Sequence, residues 1–328
     1  MSKNYTGQKE ISETLDALRS KNIKNIFYVA CGGSSALTYS SKYIIDRDSK
    51  TMSAETYNSN EFIYRSPTKL DENSLVIAIS HLGNTPETTE AAKFAKGKGA
   101  TVIAFTYESE SPLAKSSDYR IDYQYGPQVD PADSRNILII QLTLGLLKIK
   151  ENYHHKYDSL VSSLPMLQQV TEKAIEDYTE KSIYFANKHR DETMFYTMAS
   201  GSNYGVAYTF AICILMEALW INSHAIHAGE FFHGPFEITD KSTPFILLLG
   251  LDETRYMEER ALNFLNEYGE KTYVLDAKDF NLSRIDRSIH GEISPVIQLY
   301  VLRSLSREFS KVRDHPLETR RYMHKVEY

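Results

Sequence analysis

Short apolar runs alternate with helical stretches along this chain, and this alternation restricts the fold more than any other feature of the sequence. The runs are almost continuously apolar, which is typical of parallel strands covered by helices on both faces. A regular succession of strand and helix predicts an α/β fold with doubly wound parallel sheets. The predicted strands are residues 25–30, 54–57, 74–80, 101–106, 193–198, 245–250 and 273–276.

The alternation occurs twice, and this repetition predicts two domains. Two helical patterns, the second over residues 157–189, close the first half. A strand, a turn of small residues at 199–203 and a helix at 204–220 then open the second half as the first half opens. A chain of 328 residues is long enough for two such domains, which we place at residues 1–175 and 176–328.

Charge and hydropathy argue against two classes of partner. The formal net charge is -6 and there is no run of basic residues, so nucleic acid is not an expected partner. No segment is long and apolar enough to span a bilayer, and the N-terminal sequence has no apolar signal-peptide core. We therefore expect no membrane partner and a cytoplasmic location. Cys31 and Cys213 lie far apart, which predicts neither a disulfide framework nor a zinc motif.

The stretch LVIAISHLGNTPET, residues 75–88, combines the end of a strand with the start of a helix. Pro86 occupies a typical first helical position, and Thr85 occupies the N-cap position before it. The free N–H groups and the positive dipole at a helix start attract anions, while Ser and Thr add donors without adding charge. A phosphate monoester suits such a neutral cradle. An ordinary strand-to-helix turn capped by Thr85 is the alternative.

A second turn, CGGSSA at residues 31–36, follows the first predicted strand. Its glycines allow the backbone to approach a ligand closely, and Ser34 and Ser35 offer hydroxyls at the start of the next helix. Neither G-x-G-x-x-G nor G-K-[ST] is present, so the Rossmann and P-loop nucleotide motifs are not met. Because ligands of such sheets bind at the carboxyl ends of the strands, we expect both turns on the same rim.

The second half contains a candidate acid–base pair. Glu217 lies in the apolar sequence AICILMEALW, where a carboxylate is costly unless it is paired, faces a cleft or has its pKa raised by burial. A position on the solvent side of the helix is the alternative. His224, His227, Glu230 and His233 follow, but their spacing matches no metal motif such as H-E-x-x-H. A Glu–His pair for general acid–base catalysis is the better interpretation, with His224 and His227 structural.

Four motifs in this order resemble one protein family: ACGGSS, SHLGNTPET, the Glu217 helix with HAGEFFHGP, and the closing RYMHK. Together they look like the double SIS (sugar isomerase) domain of glucosamine-6-phosphate synthase and its relatives, over essentially the whole chain. Within this family the sequence is most similar to deglycases of the fructoselysine-6-phosphate type, through TMASGSNYGVAY, HAIHAGEFFHGPFEI and LLGLDETR. The resemblance implies two SIS domains, each a flavodoxin-like parallel sheet flanked by helices.

The resemblance also implies roles for single residues. Those matching the family's phosphate ligands are Ser34, Ser80, His81 and Thr85, assisted by Ser35. Glu217 matches the catalytic glutamate and His233 the histidine of the HGP motif, while Lys325 falls where the synthases have a C-terminal lysine on an active-site lid. Two positions depart from the family: Leu82 replaces a common serine, and Ile214 stands where isomerase relatives have a lysine.

The activity implied by this resemblance is hydrolysis of a fructosamine 6-phosphate, an Amadori product, to glucose 6-phosphate and a free amino acid. No metal or organic cofactor is expected, because the substrate's own nitrogen stabilises the intermediates. Relatives complete the site with a second subunit, so we expect a homodimer or a larger homo-oligomer with shared active sites. A sugar-phosphate aldose–ketose isomerase and a non-catalytic sugar-phosphate sensor are the alternatives, and Ile214 argues against the first. The amino acid released stays open, with lysine as the family default.

Overall fold

The computed structural model describes residues 6–126, 129–323 and 325–327. The chain divides into two units, Met1–Gln168 and Gln169–Tyr328, and each unit has its own parallel sheet. Sequence analysis places the domain boundary after residue 175, and that placement stays a prediction. Among the described helices, none has the length and apolar composition needed to cross a bilayer.

The sheet of the first unit has five parallel strands in the order β2-β1-β3-β4-β5. They are β1 (Asn25–Ala30), β2 (Ser53–Asn58), β3 (Ser74–Ile79), β4 (Thr101–Thr106) and β5 (Tyr119–Asp122). This is the flavodoxin-like order of doubly wound folds, which confirms the predicted architecture. The short edge strand β5 was not predicted, because only Ile121 of its four residues is buried and the apolar signal is weak.

The described residues of the first unit form eight α-helices. They are α1 (Thr6–Leu18), α2 (Gly32–Ala36), α3 (Tyr39–Asp48), α4 (Ser59–Arg65), α5 (Pro86–Gly97), α6 (Pro112–Lys115), α7 (Arg135–Glu151) and α8 (His155–Ser163). The small side chains of Ala91, Ala92 and Ala95 on α5 lie in the same buried cluster as Val76 of β3 and Val102 of β4. Such small residues allow a helix to pack closely on a sheet, and the packing fixes the N-terminus of α5 at the rim.

The sheet of the second unit has four parallel strands in the order β7-β6-β8-β9, which repeats the first order with one strand fewer. They are β6 (Met194–Ala199), β7 (Asn222–His227), β8 (Pro244–Leu249) and β9 (Lys271–Asp276). Strand β7 was not predicted, because four of the six residues of its sequence NSHAIH are polar. The second doubly wound sheet is therefore confirmed, and His224 and His227 lie on one of its strands.

Two predicted helices differ from the structure. The single helix expected over residues 157–189 is broken at Leu164–Met166, where Pro165 cannot continue the hydrogen-bond ladder, and α9 (Leu167–Lys188) follows the break. The helix expected over residues 204–220 is a short α10 (Tyr204–Tyr208) followed by a π-helix, Thr209–Met216. The remaining long helices are α11 (Arg255–Tyr268) and α12 (His290–Val312).

Candidate active site

The carboxyl ends of β1 and β3 lie side by side in the first sheet. The two strands pair in register from Asn25 opposite Ser74 to Ala30 opposite Ile79. The turns that follow them, residues 31–36 and 80–85, therefore begin at neighbouring points. This register confirms the prediction that both turns lie on one rim.

Ser80 and Thr85 are joined by a hydrogen bond between their hydroxyl oxygens, which are 2.8 Å apart. Thr85 occupies the N-cap position of α5, as predicted, but its side chain makes no cap bond to the helix. The alternative in which Thr85 serves only as a cap is therefore not supported. The first N–H groups of α5 and the paired hydroxyls together offer donors to an anion.

Arg135 corrects the expectation of a neutral cradle. It is the first residue of α7, and its Nη1 donates a hydrogen bond of 2.9 Å to the hydroxyl of Ser34. The same guanidinium lies over the ring of Tyr123, 5.4 Å from its centroid. Helical periodicity in the sequence does not show which strand end the first residue of a helix faces, so Arg135 could not be identified beforehand. A cation thus lies at the predicted phosphate site.

His81 lies among aromatic side chains on the same rim. Its Nδ1 is 2.9 Å from the Tyr123 hydroxyl, and its ring is within 4.3 Å of the exposed Tyr125 ring and 5.5 Å of the Tyr107 ring, centroid to centroid. Burial, aided by the positive charge of Arg135, lowers the pKa of His81 below its usual range. Histidine in this position is therefore neutral at physiological pH, and it acts as a hydrogen-bonding group rather than a second cation.

Ser35 is half-buried in the short helix α2. Its carbonyl oxygen accepts hydrogen bonds from both the N–H and the hydroxyl of Thr38, at 3.0 and 2.7 Å. Its predicted assistance in phosphate binding stays a prediction.

The matching rim of the second unit is occupied by the chain's own carboxylates. Gly32 and Gly201 take the same left-handed conformation, with φ of +54° and +49°, two residues after β1 and β6. In the second unit, Oδ2 of Asp252 accepts from the N–H and the hydroxyl of Ser202, at 2.9 and 2.6 Å. Glu258 likewise accepts from Ser200 (N–H and hydroxyl, both 2.9 Å). Because these donors are already paired with carboxyl groups of the chain, the first unit is the better candidate for a phosphate site.

Glu217 directly follows the π-helix. Its N–H donates to the carbonyl of Ile212, five residues earlier, at 3.1 Å. π-Helical turns are rare and frequently occur at functional sites. The carboxylate is partly buried, and its Oε1 accepts a hydrogen bond of 3.0 Å from Nη2 of Arg320. This paired position differs from the alternative of an ordinary solvated helix residue.

The C-terminal tail, which is the segment after α12 (His290–Val312), contacts Glu217 through Arg320. Sequence reasoning missed this residue. The Nζ of Lys325 donates to the Arg320 carbonyl oxygen at 2.6 Å, so the predicted lid lysine lies on the same segment. His324, which belongs to the closing motif RYMHK, lies outside the described residues. The only sequence signal for Arg320 is its place in a charged tail, which does not identify its partner.

His233 lies at the end of a 3₁₀ turn, Phe231–His233, after β7, and its side chain is exposed. Within the described residues, no hydrogen bond joins the His233 ring to Glu217, so their cooperation stays a prediction. His227 makes a local contact instead, since its Nδ1 accepts from the Gly229 N–H at 3.1 Å. The described part of the chain contains no group of three His, Cys, Asp or Glu side chains arranged to hold a metal ion.

Comparisons with known proteins agree with this architecture. A family model described as "SIS domain" matches residues 19–148. Fructosamine deglycase FrlB of Bacillus subtilis is 51% identical over 98% of this chain and 97% of its own length. Fructoselysine 6-phosphate deglycase of Escherichia coli O157:H7 is 28% identical over 92% of this chain and 86% of its length. A crystal structure from Bacillus subtilis, provisionally described as a phosphosugar isomerase, superposes with a TM-score of 0.96 at 51% identity, covering 98% and 97% of the two chains.

The two parallel sheets and these matches define an α/β protein of the SIS-domain class. The chain belongs to the SIS-domain family, in the group that contains fructosamine deglycase FrlB. Its similarity to that protein extends over nearly the full length of both chains. The homology supports an enzyme of the deglycase type.

Proposed function

We propose that the protein hydrolyses a fructosamine 6-phosphate to glucose 6-phosphate and a free amino acid. The observation that carries this proposal is the rim of the first sheet, where paired hydroxyls, an uncapped helix start and an arginine adjoin one another. Neutral donors and one cation suit the dianionic phosphate of a sugar 6-phosphate. The deglycase names of the relatives then favour a sugar that carries an amine.

The phosphate lies at the opposite end of the sugar from the reacting carbons. The binding energy of the phosphate does not depend on the chemistry at C1 and C2. It is therefore available to orient these two carbons toward the acid–base residues. Ser34, Ser80, His81 and Thr85 are the proposed phosphate ligands, assisted by Ser35.

Glu217 and His233 are the proposed acid–base residues. His233 assists opening of the sugar ring by proton transfer, which yields the ketone at C2. Glu217 then removes a proton from C1 to give an enaminol and returns a proton to C2, which gives an imine of glucose 6-phosphate. Each positioned acid or base contributes roughly 10²–10⁴-fold to the rate.

Hydrolysis of the imine completes the reaction. Water adds to C1 and forms a carbinolamine, and the C1–N bond breaks when the nitrogen is protonated. Glucose 6-phosphate and the free amine leave in equal amounts, with Glu217 or His233 carrying the protons. The chain acts as a homodimer or larger homo-oligomer in this proposal, and Lys325 is the residue assigned to a lid.

A sugar-phosphate isomerase is the second candidate, since a related crystal structure carries that provisional description. Ile214 counts against it. An aliphatic side chain cannot supply the positive charge or the proton that a lysine at that position offers.

Incubation with several fructosamine 6-phosphates, followed by enzymatic assay of glucose 6-phosphate and of free amine, tests the proposal. We expect equimolar release, and a kcat/KM at least about 100-fold lower for the same conjugates without phosphate. Interconversion of fructose 6-phosphate with no amine released would instead identify an isomerase. Release that does not depend on the phosphate would overturn the proposed role of the first rim.

A further inference from the structure

We propose that Arg135 is a positioning residue that makes Ser34 and His81 hydrogen-bond donors toward the phosphate. The inference rests on the proposed function in one respect, namely that the first rim binds a phosphate group. It adds a physical reason why two neutral side chains, each able to donate or accept, present protons rather than lone pairs to an anion.

The first hydrogen-bond chain runs from Arg135 to Ser34. A guanidinium has N–H donors and no acceptor, so the 2.9 Å contact makes the Ser34 oxygen the acceptor. The Ser34 hydroxyl proton must then point to a different partner. The oxygens of a phosphate dianion only accept, so this proton matches the ligand.

The second chain runs from Arg135 through Tyr123 to His81. Nη1 lies 3.5 Å from the Tyr123 hydroxyl, a long contact in which the guanidinium again can only donate. Burial raises the pKa of Tyr123, so its hydroxyl keeps a proton to donate to Nδ1 of His81, 2.9 Å away. His81 is neutral, and accepting at Nδ1 places its remaining proton on Nε2. His81 is therefore left with a donor as well.

Without Arg135, nothing fixes which group donates and which accepts in either hydrogen-bond chain. The Ser34 and Tyr123 hydroxyls can then rotate, and His81 can exchange tautomers, so that lone pairs face the phosphate in part of the population. A charge-assisted hydrogen bond contributes more free energy than a neutral one. Removing Arg135 takes away such a bond and also leaves the Ser34 and His81 donors without a fixed orientation. The effect on phosphate affinity should therefore exceed that of removing one charge elsewhere on the unit.

Calorimetric titration with inorganic phosphate and with glucose 6-phosphate tests this, because it needs no turnover. We expect Arg135→Met to weaken binding about 10- to 100-fold, as loss of a charge-assisted bond implies. The matched control is Arg65→Met, which removes the same charge from an exposed side chain of α4 and should change affinity less than twofold. Arg135→Lys, which still can only donate, should recover part of the loss.

A second readout follows the tautomer directly. Nitrogen-15 NMR of the histidine rings should show His81 protonated at Nε2 in the wild type and a mixture of tautomers in Tyr123→Phe, a variant that keeps the ring and Arg135. A single Nδ1-protonated form in the wild type would overturn the second chain. Because phenylalanine keeps the packing of the buried ring, this test remains valid if Arg135→Met fails to fold.

The outcomes separate the two proposals. If the wild type binds neither phosphate nor glucose 6-phosphate, the phosphate site itself fails, and the role of Arg135 with it. If the wild type binds both and folded Arg135→Met binds within twofold of it, only the role of Arg135 is wrong. In turnover assays the same variant should raise KM with little change in kcat.

Discussion

Arg320 donates a hydrogen bond of 3.0 Å to Oε1 of Glu217, and this contact joins the candidate general base to the C-terminal tail. The neighbouring Arg321 lies over the ring of Trp220, 4.3 Å from its centroid, and His315 packs against the same indole at 4.7 Å. Trp220 has φ of +56°, a strained value for a bulky residue. Residues after α12 therefore contact the segment that carries Glu217 at two positions, Glu217 itself and Trp220.

The first prediction uses Trp220, the single tryptophan of the chain, as a reporter of these contacts. Arg320→Leu should loosen the tail and change the emission wavelength of Trp220. The free energy of unfolding should fall by only about 1 kcal/mol, because the ion pair is partly exposed. Arg284→Leu, which removes an exposed arginine bonded to Gln169, is the control and should leave the emission unchanged. An unchanged spectrum in Arg320→Leu would show that this ion pair does not hold the tail.

The second prediction concerns the hydroxyl pair of Ser80 and Thr85. One of their two protons is used in the mutual hydrogen bond, so the pair supplies one donor to the phosphate. Ser80→Ala and Thr85→Ala should each raise KM about tenfold with little change in kcat. Because the two hydroxyls are in contact, the double variant should raise KM by less than the product of the two single effects, whereas independent ligands would give multiplied effects.

A control for the hydroxyl pair is Ser182→Ala, which breaks a buried hydrogen bond of 2.9 Å to Tyr273 in the second unit. It should lower the thermal midpoint without changing KM. Equal changes of KM in Ser182→Ala and Thr85→Ala would mean that the KM of Thr85→Ala changes because the protein is less stable, not because a phosphate ligand is lost.

The third prediction concerns Gly83 in the phosphate turn. Its φ is +62°, and an added Cβ would lie 2.0 Å from Oγ of Ser111 and 2.8 Å from Oγ1 of Thr106. Gly83→Ala should destabilise the protein by about 3 kcal/mol or more, from backbone strain and overpacking together. Gly99→Ala is the matched control, because its φ is +89° but its nearest neighbour is 3.5 Å away. Its cost should be only about 1–2 kcal/mol in chemical denaturation, and equal costs would contradict the steric argument.

The fourth prediction is a pH dependence from Glu258, which is fully buried. Burial raises its pKa from 4.5 to about 7, although the N–H groups of Ser200 and Gly250 oppose the shift. A folded pKa above the unfolded one means that the stabilising contribution is complete below pH 4.5 and is lost as pH rises through 7.

The measurement is urea unfolding of the wild type and Glu258→Gln between pH 4.5 and 8. The stability of the wild type relative to the variant should fall by up to about 3 kcal/mol over this range, since one pKa unit corresponds to about 1.4 kcal/mol. A difference that stays constant or grows with pH would contradict the sign of the shift.

The sequence predicted the elements whose pattern is strong within a short window. Fully buried strands such as β3 and β8 are continuous apolar runs, and the turns after them contain glycine and hydroxyl residues. Strands β5 and β7 escaped prediction because both are edge strands with largely polar sequences, YRID and NSHAIH, which lack a continuous apolar run. The π-helix could not be foreseen, since its apolar composition also suits an α-helix.

In the candidate site, too, residues within a local motif could be predicted, whereas their partners from distant parts of the sequence could not. Motifs identified Ser34, Ser80 and Thr85, but not the partner that each hydroxyl meets. Arg135 lies 101 residues from Ser34 and Arg320 lies 103 residues from Glu217 in the sequence. Contacts over such separations depend on the tertiary fold, and a single sequence contains no local pattern that reports them.

The most direct test of the central claim is the rate of glucose 6-phosphate release by Glu217→Gln with a saturating fructosamine 6-phosphate. Glutamine keeps the size and one acceptor oxygen but cannot take the C1 proton, so the rate should fall by about 10²-fold or more while glucose 6-phosphate still binds. Glu180→Gln, at an exposed position of α9, should match the wild type. A Glu217→Gln enzyme that keeps more than about a tenth of the wild-type rate would contradict the account.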